Sequence, residues 1–270
     1  MKSTDDRQFQ RLLDFIGSEM DFESGFYNDA YLDRRISARM RRTDTDSYRE
    51  YKQLLRRDED DERAALLDSL SINVTGFFRN PEAWEALRPV LRELTANNRT
   101  VRVWSAPSAD GREPYSAAML ALDDPEIDAS RIEITGTDIN ADILEAARNG
   151  TYETSHTTDI AEELEPLSDY SEYVVEEDNT FSVKENVTDM VTFEQHDLIR
   201  GRPKRDFDLV FCRNLLIYID TEFKVPIFKT IRGSLREDGY LMIGMTETLP
   251  TECRDDFSAV DKQHRIYRRV

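Results

Sequence analysis

The first part of the chain has the apolar spacing of amphipathic helices. Apolar side chains recur every three or four residues from Phe9 to Ile16, and the same spacing returns at residues 54–55 and 66–70. The stretch contains no strand-like run. We therefore predict a small all-helical domain over residues 1–72.

From residue 98 onward, short apolar runs alternate with helical stretches. The runs predicted as strands are Val101–Ser105, 131–138, Phe207–Cys212, 240–245 and a closing segment, 264–270. The helices predicted between them are 114–122, 141–148, which Asn140 should cap, and 222–236. Such alternation is typical of a parallel sheet covered by helices. We predict an α/β domain over residues 98–270.

Two further segments stand apart from these domains. Residues 73–97 connect them and contain a helix whose expected first residue is Pro81, with Asn80 as its N-cap. Residues 151–190 carry twelve acids against one lysine and contain an EEDNT turn between two partly apolar stretches. That turn predicts an antiparallel hairpin. We therefore predict an inserted antiparallel β subdomain over residues 151–190.

Composition and charge exclude several classes of protein. Hydrophobic residues make up 39% of the chain, too many for a disordered protein, and a net charge of −19 disfavours a general binder of nucleic acid or anionic membranes. Of the 36 cationic residues, 29 are arginine. An arginine-rich, highly acidic composition is typical of proteins from salt-accumulating cells, so we expect a halophilic archaeon as the source.

The chain shows no signal for secretion, membrane insertion or metal binding. Its N-terminus, MKSTDDRQF, is polar, and no run reaches the roughly 18 apolar residues of a membrane span. Cys212 and Cys253 cannot form a disulfide framework, and with the three histidines they lack metal-ligand spacing. We expect a cytoplasmic protein without a bound metal.

One segment, residues 34–42, departs from the acidic character of the chain. It contains five arginines and no acid: Arg34, Arg35, Arg39, Arg41 and Arg42. On a helix, Leu32, Ile36 and Met40 would form one apolar stripe, and the arginines would occupy the remaining surface. This surface could be solvated and paired with neighbouring acids, or it could dock an acidic protein partner. Docking is favoured because uncompensated like charges repel one another.

The loop after the first predicted strand is a candidate nucleotide site. Doubly wound sheets bind nucleotides where a strand ends and a helix begins, and the sequence SAPSADGREPYS, residues 105–116, occupies that place. It lacks both G-x-G-x-x-G and the P-loop pattern, which disfavours dinucleotides and nucleoside triphosphates. Asp138, at the end of the second strand, could cap a helix or bind ribose hydroxyls. Because Asn140 already occupies the cap position, ribose binding is favoured.

Five strings occur in order along nearly the whole chain: INVTGFFRNPEAW, VWSAPSADGREPYS, GTDIN, FCRNLLIYID and GMTE. Together they resemble the CheR family of chemotaxis receptor methyltransferases, which transfer a methyl group from S-adenosylmethionine to receptor glutamates. The resemblance implies a Rossmann-like methyltransferase domain with a small N-terminal all-helical domain and an inserted antiparallel β subdomain. It also implies that the partner is the cytoplasmic helical domain of chemotaxis receptors. We expect a monomer, and we expect its arginine segment, residues 34–42, to dock this acidic partner.

The resemblance assigns cofactor contacts to nine positions: Asn73, Thr75, Arg79, Glu113, Asp138, Asp197, Leu198, Arg213 and Asn214. It places Arg79 near the methionine carboxylate and Glu113 near the ammonium group. It places Asp197 and Leu198 at the adenine, and Asp138 at the ribose. Taken alone, Arg79 could be a surface arginine, and Glu113 could simply favour the positive N-terminus of a helix.

Tyr218 and Arg79 are the catalytic candidates that the resemblance implies. A glutamate carboxylate, with a reference pKa of about 4.3, is already ionised at pH 7, so methyl transfer needs alignment and not a general base. The Tyr218 hydroxyl could position that carboxylate, or its ring could belong to an ordinary core. In the cofactor loop, the chain departs from the usual family residues at Pro107, Asp110 and Arg112.

Other functions compete with receptor methylation. The first alternative is a non-catalytic S-adenosylmethionine-binding signalling or scaffold protein of the same fold. A small-molecule methyltransferase is the second, and a dehydrogenase has the least support because the dinucleotide pattern is missing. Transfer of a labelled methyl group to receptor membranes separates a receptor methyltransferase from the first two.

Overall fold

A computed structural model describes the chain except for residues 1–3, 21, 58–60, 71–74 and 156. The chain divides into two compact units. One comprises Met1–Asn73 with Tyr218–Phe223, and the other comprises Val74–Ile217 with Lys224–Val270. Across the described residues, we find no helix that is both long and apolar enough to cross a membrane.

The first unit is built from packed helices. They are α1 (Thr4–Glu19), α2 (Asp29–Arg42), α3 (Tyr48–Arg57) and α4 (Asp61–Leu70). α1 packs on α3, and α2 packs on α4. The four helices contribute Leu12, Ile36, Tyr51 and Leu66, respectively, to one buried cluster. Each helix therefore turns its apolar stripe into a shared core.

The second unit combines strands and helices. Its strands are β1 (Val101–Ser105), β2 (Ile132–Asp138), β3 (Thr151–Glu153), β4 (Val174–Glu177), β5 (Thr180–Val183), β6 (Val191–Gln195), β7 (Phe207–Cys212), β8 (Leu235–Ile243), β9 (Phe257–Asp261) and β10 (Ile266–Arg269). The helices that follow α4 are α5 (Pro81–Asn97), α6 (Arg112–Asp123), α7 (Ala141–Asn149), α8 (Ile160–Glu163), α9 (Glu185–Thr188) and α10 (Thr221–Ser234).

Seven strands form one sheet in the order β6-β2-β1-β7-β8-β10-β9. The first five in this order run parallel, whereas β10 is antiparallel to both β8 and β9. Val103 of β1 lies opposite Ile134 and Leu209, and all three are buried. Because β1, β2 and β7 are parallel neighbours, their carboxyl ends meet at one edge of the sheet. The predicted α/β class is confirmed.

The inserted segment forms a small sheet of its own. β3, β5 and β4 pair in that order, and both pairings are antiparallel. Asp178 and Asn179 make the turn between β4 and β5, with Asp178 at φ +55°. Tyr152, Val174 and Phe181 are buried in the core of the second unit. The predicted antiparallel hairpin is confirmed.

The apolar pattern does not predict β6 and β9, the two edge strands of the large sheet. Val191 is the one buried residue of β6, and Phe257 is the one buried residue of β9. Neither strand therefore has the continuous apolar run of a central parallel strand. β8 begins at Leu235 and not at residue 240, because Leu235 already pairs with β7. Consequently α10 ends at Ser234, two residues earlier than predicted.

Candidate functional site

Polar residues lie where β1, β2 and β7 end. Ser105 is the last residue of β1 and lies opposite Gly136 of β2 and Phe211 of β7. Asp138 is the last residue of β2, and Arg213 follows β7 directly. Doubly wound sheets bind ligands in the crevice outside such carboxyl ends. These residues therefore mark the candidate site.

A buried carboxylate lies beside this edge. Glu113, in the first turn of α6, is 8% exposed, and its Oε1 accepts a hydrogen bond from Ser105 Oγ at 2.8 Å. Its Oε2 pairs with Arg213 Nη1 at 3.3 Å. Burial raises the pKa of the Glu113 carboxyl, and Arg213 and Ser105 oppose that rise because they favour the charged form.

Arg213 connects Glu113 to the segment that precedes α5. Its Nη2 donates to the Arg79 carbonyl at 2.6 Å and to Asn80 Oδ1 at 3.4 Å. Its guanidinium lies 5.3 Å from the centroid of the Trp84 ring. Asn80 occupies the predicted N-cap position of α5, but its side chain makes no capping bond there. The Asn80 side chain instead accepts from Arg213.

Arg79 belongs to the same charged cluster. Burial lowers the pKa of Arg213, and the nearby charge of Arg79 lowers it further. The same charge opposes the rise in the pKa of Glu113 that burial causes. Arg79 and Arg213 supply cations that suit an anionic ligand group, while the carboxylates of Glu113 and Glu247 both act on Arg213. Thr75, four residues before Arg79, is partly buried, and Asn73 lies outside the described residues.

Asp138 fastens the loop that follows β1. Its Oδ2 accepts from the Ala109 amide at 3.1 Å, and its Oδ1 accepts from the Asn140 amide at 3.0 Å. Burial raises the pKa of Asp138, and these two amides oppose the rise. Asn140 caps α7 as predicted, because its Oδ1 accepts from the amides of Asp142 and Ile143. Asp138 therefore orders the loop and does not cap α7.

Gly111 allows this loop to approach the sheet closely. Its φ is +89°, and a Cβ at this position would lie 2.9 Å from side-chain atoms of Ala147 and Phe193. A Cβ on Gly136 of β2 would lie 2.7 Å from Phe193 and 3.1 Å from the Ser108 Cβ. Such contacts are too short for any side chain. The two glycines therefore let the loop and β2 pack directly against the Phe193 ring.

Three buried polar atoms at this edge find no hydrogen-bond partner among the described residues. They are Ser108 Oγ, His196 Nε2 and Arg213 Nε. They belong to the segments that follow β1, β6 and β7, respectively. Buried polar atoms are nearly always paired, so these three are candidate contacts for a polar ligand.

The turn after β6 lies beside Asp138. The His196 amide donates to the Asp138 carbonyl at 3.0 Å. Asp197 Oδ1 closes the turn by accepting from the amides two and three residues further on, at 2.8 and 2.9 Å. Leu198 is half-buried. The turn that carries Asp197 and Leu198 is therefore joined to Asp138 through the His196 amide, and one carboxylate oxygen of Asp197 is engaged within the turn.

The sequence patterns do not single out Glu247 as a site residue, yet it organises the segment after β7. It is 3% exposed and accepts from the amides of Gly244 at 2.6 Å, Leu216 at 2.6 Å and Asn214 at 3.0 Å. Asn214, at φ +59°, is thereby fixed next to Arg213. The GMTE string, which ends at Glu247, is the signal that could have identified it.

Tyr218 is grouped with the helical unit. The centroid of its ring lies 4.8 Å from that of Tyr31, and its carbonyl accepts from the Asn28 amide at 2.9 Å. The cluster of Arg79, Glu113 and Arg213 belongs to the α/β unit. The described structure therefore brings those three together and packs Tyr218 against helical residues.

The arginine segment covers the outer side of α2. Leu32, Ile36 and Met40 are buried, so the predicted apolar stripe is confirmed. Arg34, Arg41 and Arg42 are exposed, and Arg35 is half-buried with its guanidinium 5.5 Å from the Tyr31 ring centroid.

Arg39 differs from the other four arginines. Its Nε donates to Glu62 Oε1 at 3.1 Å, and Tyr51 donates to the same oxygen at 2.5 Å. Glu62 is 6% exposed. The expectation that all five arginines lack a compensating charge is therefore wrong for Arg39. Its partner lies on α4, 23 residues away along the chain, and no local charge pattern reveals it.

Comparison with known proteins gives a consistent result over most of the chain. Residues 73–266 match the SAM binding domain of CheR methyltransferase, and residues 7–71 match the all-alpha domain of CheR methyltransferase. A chemotaxis protein methyltransferase from Listeria monocytogenes is 31% identical over 242 residues, which cover 87% of each chain. One from Vibrio parahaemolyticus is 34% identical over 203 residues, which cover 73% of this chain and 72% of that protein.

Proposed function

The chain belongs to the CheR methyltransferase family and is an S-adenosylmethionine-dependent methyltransferase of chemotaxis; we propose that it methylates glutamate side chains in the cytoplasmic helical domain of chemotaxis receptors. The relatives that carry the name chemotaxis protein methyltransferase match both parts of the chain, which supports a receptor as the substrate. The product would be a glutamate methyl ester.

The residues at the carboxyl edge of the sheet fit S-adenosylmethionine. The positive charges of Arg79 and Arg213 suit the methionine carboxylate, and Glu113, which pairs with Arg213, suits the ammonium group. Asp138 would accept from ribose hydroxyls, and Ser108 Oγ, which has no hydrogen-bond partner among the described residues, is a further candidate contact. Five further contacts are proposed from the family resemblance alone: Asn73, Thr75, Asp197, Leu198 and Asn214.

Methyl transfer requires the protein to align the reacting groups and does not require a proton transfer. S-adenosylmethionine supplies a methyl group on a positively charged sulfur. The acceptor glutamate is ionised at pH 7, so the protein must exclude water and hold one carboxylate oxygen in line with the methyl carbon. We assign the holding role to the Tyr218 hydroxyl and the Arg79 guanidinium, on the basis of the resemblance.

The observation that carries this proposal is the buried Glu113 held between Ser105 and Arg213 at the carboxyl edge. The test is transfer of a radiolabelled methyl group to a purified receptor cytoplasmic fragment. We expect label in the fragment, released as methanol by mild base, because esters hydrolyse under these conditions. A fragment with its glutamates replaced by alanine is the control and should remain unlabelled.

Two outcomes of these measurements would favour the alternative functions over receptor methylation. A non-catalytic binder would bind S-adenosylhomocysteine in a calorimeter and yet label neither fragment. A small-molecule methyltransferase would label a soluble metabolite fraction and ignore the receptor. Both measurements use the full chain.

The exposed arginines of α2 are proposed to dock the acidic receptor. Arg34, Arg41 and Arg42 are exposed and can be replaced together by alanine, whereas Arg39 forms an ion pair with Glu62. We expect the KM for receptor to rise about five- to tenfold and the KM for S-adenosylmethionine to stay constant. The matched control replaces three exposed arginines of the same unit outside α2: Arg11, Arg49 and Arg57. Equal effects in both triple variants would contradict docking on α2.

The surroundings of the enzyme are also part of the proposal. We propose a monomer that acts in the cytoplasm of a halophilic archaeon, without nucleic acid as a partner. The net charge of −19 and the excess of arginine over lysine support this setting. Sedimentation at several protein concentrations tests the monomer, and a dimer at micromolar concentration would overturn it.

A further inference from the structure

The inserted subdomain contacts the segment that carries Arg79. Glu163, the last residue of α8, accepts through Oε2 from the Phe77 amide at 2.8 Å. Phe77 lies between Thr75 and Arg79, two proposed cofactor contacts. The approach is close, because a Cβ on Gly76 would lie 2.8 Å from Glu163 Oε1. One carboxylate of the insertion therefore sets the path of this segment.

The same carboxylate reaches the loop after β1. Glu163 Oε2 pairs with Arg112 Nη1 at 3.3 Å, and Arg112 Nη2 pairs with Asp110 Oδ2 at 2.9 Å. Arg112 is adjacent to Glu113, the buried carboxylate of the site. Burial raises the pKa of Glu163, and the Phe77 amide and Arg112 oppose that rise.

Tyr152 of β3 also contacts both the loop after β1 and the segment that carries Arg79. Its hydroxyl donates to the Asp110 carbonyl at 2.7 Å, and its ring meets Phe77 edge-on at a centroid distance of 5.0 Å. A cavity of about 280 Å³ lies beside these contacts, lined by Asp110, Arg112, Tyr152 and Ile160 among others. These polar contacts act together with the buried packing of Phe77, Tyr152 and Ile160 to fix how the insertion sits on the loop.

We propose that the inserted subdomain is a structural part of the cofactor site, with Glu163 as the positioning residue that holds residues 75–79 and the loop at 105–113 in register. This inference rests on the proposed assignment of Arg79 and Glu113 to the cofactor. It gives the insertion a role that does not depend on what else binds to it. A partner seated on the insertion would change cofactor affinity through the same contacts.

The test is the affinity for S-adenosylhomocysteine measured by calorimetry. Glu163→Ala leaves the Phe77 amide without its acceptor and removes one of the two carboxylates that pair with Arg112, and we expect the Kd to rise about tenfold or more. Glu163→Gln keeps an oxygen that can accept from Phe77 but loses the charge opposite Arg112, so we expect a rise of about threefold. Glu162→Gln, on the exposed side of the same helix, is the control and should match the wild type.

A double-mutant cycle separates positioning from a general loss of structure. Arg112→Gln alone should raise the Kd, and its combination with Glu163→Gln should raise it less than the product of the two single effects, because both remove one interaction. At saturating S-adenosylmethionine, kcat should fall as well, because residues 75–79 include Arg79, the proposed holder of the acceptor carboxylate.

The inference is overturned if folded Glu163→Ala and Glu163→Gln bind S-adenosylhomocysteine as the wild type does. Should the alanine variant fail to fold, the glutamine variant and the cycle decide. Failure of the proposed receptor substrate has a different signature, since the wild type would then bind S-adenosylhomocysteine normally and leave the receptor fragment unlabelled.

Discussion

Glu113 and Arg213 form an ion pair in which the Arg213 side chain is 1% exposed and the Glu113 side chain 10%. Removing either partner leaves the other charge buried and unpaired, which is strongly destabilising in proteins. The pair also joins the start of α6 to the end of β7, and through Arg213 to the Arg79 carbonyl. Stability and ligand binding therefore share these atoms, and an experiment must separate the two.

We predict that Glu113→Gln weakens binding of S-adenosylhomocysteine by at least about tenfold and lowers the free energy of unfolding by about 2 kcal/mol. The amide can still accept from Ser105 but no longer balances the charges of Arg213 and Arg79. Calorimetry and urea unfolding measure the two effects separately.

Asp124→Asn is the matched control for this substitution. Asp124 follows the other end of α6, is 2% exposed and pairs with Arg92 Nη2 at 2.9 Å. It should lose comparable stability and keep the affinity of the wild type within about twofold, because distant sites act independently. If Glu113→Gln binds S-adenosylhomocysteine as tightly as the wild type does, then Glu113 is not part of the cofactor site.

Glu247→Gln should slow methyl transfer. The carboxylate accepts from three amides in residues 214–244, and a glutamine would turn a donor toward at least one of them. The loop carrying Asn214 would then shift, and small displacements of aligned groups are costly, so we expect kcat to fall about tenfold or more.

A second buried carboxylate of the α/β unit provides the comparison. Asp208, near the start of β7, accepts from the Arg102 amide at 2.8 Å and from Arg236 Nη1 at 2.8 Å. Asp208→Asn should destabilise the protein while kcat stays constant, since this end of β7 is remote from the carboxyl edge. Equal kcat values in Asp208→Asn and Glu247→Gln would refute the role given to Glu247.

The central strands could be predicted from sequence, and the edge strands could not. β1 and β7 have the predicted bounds because their residues are buried on both faces and read as continuous apolar runs. β6 and β9 each bury one residue, so their sequences resemble loops. A strand at an edge is specified by the partner that it pairs with, and the partner is distant in the chain.

Similar reasoning applies to the site. Glu113 and Arg213 lie in strings that the resemblance picks out, and the structure brings them together across 100 residues. Glu163 accepts from a backbone amide 86 residues away, and Glu247 accepts from backbone amides 31 and 33 residues away. Every residue other than proline has a backbone amide, so the sequence does not indicate which amide a carboxylate will bind. The pairing of Arg39 with Glu62 escaped prediction for the same reason.

Glu62 should be a main determinant of the stability of the helical unit. It accepts from Arg39 and from Tyr51, both in or next to the buried cluster of that unit. We predict that Glu62→Gln lowers the free energy of local unfolding by about 2 kcal/mol, because two hydrogen bonds to a charged acceptor are weakened. Amide hydrogen exchange in α2 and α4 measures the change.

The α/β unit provides an internal reference for this measurement. Both tryptophans, Trp84 and Trp104, lie in that unit, so tryptophan fluorescence reports its unfolding separately. Asp14→Asn, at an exposed position of α1, is the control and should change exchange in α2 and α4 little. Protection that stays at the wild-type level in Glu62→Gln would show that Arg39 is held by packing alone.

Salt should stabilise the protein. A net charge of −19 makes the folded chain repel itself, and the screening length falls from about 8 Å at 0.15 M salt to about 3 Å at 1 M. We expect the Tm to rise by about 5 °C or more between low and molar KCl, measured by calorimetry.

The control is a variant in which three exposed acids of the insertion are neutralised: Glu172→Gln, Glu177→Gln and Asp178→Asn. Its Tm should depend less on KCl because the repulsion within the folded chain is smaller. If the Tm of both proteins is the same at low and molar KCl, the acidic surface is not an adaptation to salt. That result would contradict the proposed halophilic source.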